Sequence, residues 1–87
     1  MIKFDFYLHA HRIADDLGKH GHREYKKSLE DAIAGGSTST EILMAIRWNL
    51  QRCLKEKGIL SLGLKRQITD LISKIDDVLR EGIVEIN

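Results

Sequence analysis

The sequence predicts an all-α fold, a compact antiparallel four-helix bundle, on three observations. Apolar residues recur at three- and four-residue spacings in four successive segments. Glycines punctuate those segments, at Gly18 and Gly21, Gly35 and Gly36, and Gly58, with Gly82 as the stop of the last. The chain holds no proline, so nothing inside a segment removes an amide donor or forces a kink. Helices are expected near 5–19, 22–34, 38–57 and 62–81, and links this short make chain neighbours antiparallel.

In the first helix Phe6, Ala10, Ile13, Ala14 and Leu17 share one face. A strand competes for the start of this segment, because Ile2, Phe4, Phe6, Leu8 and Ala10 also alternate with polar residues. The alternation dies at Arg12 while the helical spacing runs on to Leu17, which favours the helix. The glycines around His20 and His22 suit a left-handed residue after a helix end. Tyr25, Leu29, Ala32 and Ile33 form the face of the second helix, which Gly35-Gly36 stops.

The third helix has the clearest start. Thr38-Ser39-Thr40-Glu41 fits a capping box, in which the Thr38 hydroxyl accepts from the Glu41 amide and the Glu41 carboxylate reaches back. Ile42, Leu43, Ile46, Leu50, Cys53 and Leu54 follow on one face. The fourth helix is the most regular, with Leu64, Ile68, Leu71, Ile72, Ile75, Val78 and Leu79 on its apolar side. Leu50 and Ile72 are expected to be costly core positions. The apolar run Ile83-Val84-Glu85-Ile86 is expected to pack back on the bundle or to pair with an amino-terminal strand.

Composition narrows the function. Eighty-seven residues, 43 % hydrophobic and 31 % charged, describe one ordinary globular domain spanning 1–87. Fourteen Lys/Arg against thirteen Asp/Glu leave a net charge of +1, so no overall field draws the chain to nucleic acid or anionic lipid. A lone Cys53 excludes an internal disulfide and a cysteine-type zinc site. No apolar run approaches the ~18 residues of a membrane span. The amino terminus lacks the apolar stretch of a secretory signal, and a cytoplasmic location is expected.

Sites for chemistry are sparse. His9/His11 and His20/His22 are H-x-H pairs, and on a helix residues two apart point about 200° from one another. Zinc wants three or four ligands, and spacing offers no third. The acidic pairs Asp15-Asp16, Glu30-Asp31 and Asp76-Asp77 read as solvated faces rather than acid–base dyads. Gly35 to Thr40 runs into a helix amino terminus as phosphate loops do, but lacks the Lys-Ser/Thr of a P-loop. No catalytic residue, cofactor site or metal site is expected, and the chain is not expected to be an enzyme.

One feature of the third helix is not explained by a single core face. Met44 and Trp48 lie about 150° around from Ile42, Ile46, Leu50 and Cys53, in line with Gln51 and Lys55 and flanked by Arg47 and Arg52. Two explanations stand: a second buried face of a central helix, or a partner-binding stripe of the kind rich in Trp, Met and Arg.

The run Ala34-Gly35-Gly36-Ser37-Thr38-Ser39-Thr40-Glu41-Ile42-Leu43-Met44-Ala45-Ile46-Arg47-Trp48 resembles a segment of small bacterial helical proteins of unknown function. There a helical hairpin like residues 5–34 leads into G-G-S-T-x-T-E-I-L-M-x-x-R-W, so the resemblance spans roughly residues 5–54. It implies a bacterial origin and an all-helical domain, and by analogy an antitoxin or immunity protein that occludes a cognate toxin. The expected function is therefore a non-enzymatic protein-interaction module. The alternatives are a structural homodimer and, behind it, a small metal- or nucleic-acid-binding protein.

Overall fold

A computed structural model describes residues 4–56 and 61–80 of the chain. They form four helices, α1 (Phe6–Lys19), α2 (Arg23–Gly35), α3 (Ser39–Lys55) and α4 (Leu62–Arg80). Each packs on its chain neighbour, and α4 closes the ring against α1. This is the four-helix bundle that the periodicity predicts. The helix at residues 6–19 also decides against a strand over the described part of the amino-terminal segment. The run at 83–86, together with Gly58 and Gly82, lies outside the described residues.

Local chemistry sets each start. Asp5 caps α1 by accepting the Leu8 amide at 3.0 Å, so the helix begins one residue after the aspartate. Thr38 caps α3, its hydroxyl accepting the Glu41 amide at 3.2 Å. The Glu41 carboxylate does reach back, but to the Ser37 amide, at 3.0 Å, one residue before the cap. Ser61 does the same for α4 through the Leu64 amide, at 3.1 Å. Each cap satisfies donors that the first helical turn leaves without a backbone partner.

The turns use two glycines for different reasons. After α1 the His22 amide donates to the Leu17 carbonyl at 2.8 Å, and the Gly21 amide to the Gly18 carbonyl at 3.1 Å. That paired closure needs a left-handed residue, and Gly21 supplies it with φ 87°. Gly36 stays extended at φ −82° and is needed for space instead. A Cβ there would sit 2.3 Å from Ile42 Cγ1 and 3.1 Å from the Ile42 backbone nitrogen.

The core is one apolar cluster. Ala10, Ile13, Ala14 and Leu17 come from α1, Leu29 from α2, Leu43, Ile46, Leu50 and Cys53 from α3, and Leu64, Ile68, Leu71 and Ile75 from α4. The buried residues of this cluster all fall on the expected faces. Among the other members of those faces, Phe6, Tyr25, Ala32, Ile33, Ile42, Leu54, Val78 and Leu79 are only partly buried against them. The expectation of a core position at Ile72 is corrected. Ile72 is only half-buried, because the buried seam of α4 runs through Ile68, Leu71 and Ile75 and leaves Ile72 on its shoulder. Burial pushes the Cys53 thiol up to about 11 from its ordinary 9.0, since an apolar seam disfavours the thiolate.

Candidate functional site

Asn49, on α3, is the buried polar side chain among the described residues. Its amide nitrogen donates to the Ala45 carbonyl at 2.9 Å, the usual outlet for such a side chain inside a helix. No donor among the described residues reaches its Oδ1. Sequence reasoning missed this position, because an asparagine gives no apolar signal to the periodicity.

Opposite the core seam, Met44 is 57 % exposed and Trp48 59 %. The second-core-face explanation therefore fails, and the two side chains stand on the outer surface of the bundle. Aromatic and aliphatic area of that size is ordinarily placed inside or at an interface.

The surroundings of Trp48 are ordered on both flanks. Toward α4, Arg47 Nε donates to Asp76, and Arg47 Nη1 donates to Gln51 Oε1 at 3.4 Å. Toward α2, the Arg52 guanidinium lies 4.9 Å from the centre of the Trp48 ring and 5.5 Å from that of Tyr25. A cation between two ring faces is held by both quadrupoles. The Tyr25 hydroxyl is held protonated above its ordinary range, first by burial and then by the Glu56 carboxylate beside it.

Met44, Ala45, Arg47 and Trp48 form one wall of an open groove of about 840 Å³, and Asp76, Leu79 and Arg80 of α4 form the other. Arg80 in turn donates to Asp77. Of the six residues expected at a partner site, Met44, Trp48 and Arg47 line this groove. Gln51 braces Arg47, and Arg52 covers the Trp48 ring from outside it. Lys55 lies one turn beyond Gln51, exposed and without an ion pair among the described residues. The wall from α4 was missed. Asp76 reads as a solvated surface acid in sequence, and its pairing with Arg47 spans 29 positions, which no local pattern reveals.

The histidines do not gather. His9 stacks on Phe4, ring centres 4.4 Å apart, while His11, two residues on, is exposed. His20 Nδ1 is 2.8 Å from the Asp16 carbonyl oxygen, and His22 is the residue preceding α2. No three His, Cys, Asp or Glu side chains converge as metal ligands among the described residues. Among the same residues, no helix is long and apolar enough to cross a membrane. No family model, no curated protein and no solved structure matches the chain.

Proposed function

We propose that this protein is a non-enzymatic interaction module that binds a protein partner through the groove between α3 and α4. The observation that carries the proposal is the exposure of Met44 and Trp48 in an ordered setting, between a guanidinium stacked on one flank and an ion pair on the other. A tryptophan beside arginine in a partly preformed depression is the usual makeup of a binding hot spot. Docking there removes apolar area from water without disturbing the core, since the seam of Leu43, Ile46 and Leu50 faces away.

The most concrete form of this role is an immunity protein that occludes a cognate toxin, as the resemblance of residues 34–48 to small bacterial helical proteins suggests. Such a protein acts by covering its target, over roughly 1,200–2,000 Å² of total interface. Affinity capture with wild type and with Trp48→Ala, each identified by mass spectrometry, tests it. The expected result is a protein retained by wild type and lost by a folded Trp48→Ala, weakened by about 2 kcal/mol or more, roughly thirtyfold. For the immunity role, that protein expressed alone must also arrest growth, and co-expression with this chain must relieve the arrest. Equal capture by both proteins would move the binding surface elsewhere.

A further inference from the structure

The outer face of α3 beside the groove carries charge as well as apolar area. From Met44 to Lys55 the α3 sequence holds three basic residues, Arg47, Arg52 and Lys55, and no acidic one. The whole chain is nearly neutral at +1, so this local excess is a feature of the segment. Of the nearby carboxylates, Asp76 is engaged by Arg47 and Asp77 by Arg80, while Glu56, which follows Lys55, lies beside the Tyr25 hydroxyl. Arg52 and Lys55 have no ion pair among the described residues. Arg52 is held over the Trp48 ring at 4.9 Å, so much of the entropy of placing its planar fork is already spent.

These charges have a spacing. Met44, Trp48 and Arg52 follow at four-residue intervals, about 6 Å apart along the helix axis. Lys55 continues the row. We propose that the partner presents an acidic amphipathic helix, with two apolar side chains one turn apart for Met44 and Trp48 and a carboxylate one turn further on for Arg52. This rests on the interaction role proposed above and names the chemistry of its partner. A groove between two packed helices is a common seat for an amphipathic helix, read through anchors three or four residues apart. The row supplies the complement, since carboxylates pair with guanidinium forks through two parallel hydrogen bonds.

Two other occupants fit less well. A second copy of the chain would have to accommodate its own Arg52 and Lys55 beside the same residues here. A nucleic acid backbone would find on this face only Arg52 and Lys55 without an ion pair among the described residues. Phosphate binding draws its strength from many such contacts.

Two synthetic helical peptides with identical leucines one turn apart test the proposal, one flanked by glutamates and one by lysines. Binding to the 87-residue chain is read from Trp48 emission. The glutamate peptide is expected to bind about tenfold tighter than the lysine peptide, as one charged hydrogen bond would give, and the gap should narrow in high salt. Arg52→Glu should reverse the preference, and Lys55→Glu, at an exposed position, should narrow it. Equal binding, or tighter binding of the lysine peptide, would overturn the acidic partner and leave the docking groove standing. Failure of both peptides to bind would overturn the groove as a seat for helices. A shift produced more strongly by an oligonucleotide than by the glutamate peptide would overturn the proposal in favour of nucleic acid. A concentration-dependent shift of the protein alone would overturn it in favour of a second copy.

Discussion

On one side of α3 stand Leu43, Ile46, Leu50 and Cys53, all buried, and on the other Met44 and Trp48, more than half exposed. The two sets belong to one helix and are interleaved in sequence. They differ in what lies across from them. The first faces the seams of the neighbouring helices, where each side chain fills space left by the others. The second faces outward between α2 and α4, where Arg52 leans toward Tyr25 and Arg47 toward Asp76. Hydrophobic character is therefore no guide to burial within this helix, and angular position decides. The difference also separates tasks. Changes to the first face should be felt in stability, and changes to the second in binding.

The largest expected effect is at Leu50. Leu50→Ala should cost about 2–5 kcal/mol by lost transfer energy and the cavity left behind, measured by denaturant unfolding. Ile72→Ala on α4 should cost clearly less, because Ile72 is half-buried. Equal losses at the two positions would break the assignment of the α4 seam.

Cys53 gives the core face a signature in pH. Its thiol is neutral up to about 11 in the folded chain and to about 9 when unfolded. The unfolded state therefore releases the proton first, and stability is full below pH ~9 and falls as pH rises toward ~11. Two pH units correspond to about 2–3 kcal/mol. The wild-type curve should drop by that much relative to Cys53→Ala between pH 8 and 11. Parallel curves would mean that the thiol is not held in the apolar seam.

Asn49 lies at the boundary between the two faces, buried with Oδ1 lacking a donor among the described residues. Such an oxygen costs about 1–3 kcal/mol. Asn49→Leu, of similar size, should leave stability unchanged or raise it by up to that amount in thermal unfolding. A loss of the same size would show that Oδ1 has a donor and that the polar group supports the helix pair.

Much of this division was legible in the sequence, and the reasons are local. The Thr38 cap was read because its bond spans three residues, and helical faces depend on spacing within one segment. The caps at Asp5 and Ser61 are as local but were not read. The buried seams of α1 and α3 followed from that spacing. What sequence reasoning left open was decided across the bundle. Whether Met44 and Trp48 would be covered depended on what packs beside α3. The second wall of the groove depended on Asp76 and Leu79 arriving from a helix some thirty positions later. Asn49 was invisible for another reason, since a polar residue carries no weight in an apolar period although its neighbours bury it.

The central claim, that the outer face of α3 is open and ready for a partner, meets its most direct test in Trp48, the only tryptophan of the chain. Emission of the 87-residue chain is recorded across dilution and titrated with iodide and with acrylamide. The account predicts long-wavelength emission near that of tryptophan in water, efficient quenching by both agents and no change with protein concentration. Blue-shifted emission that resists both quenchers at every concentration would contradict it, because the ring would then be covered within the chain itself.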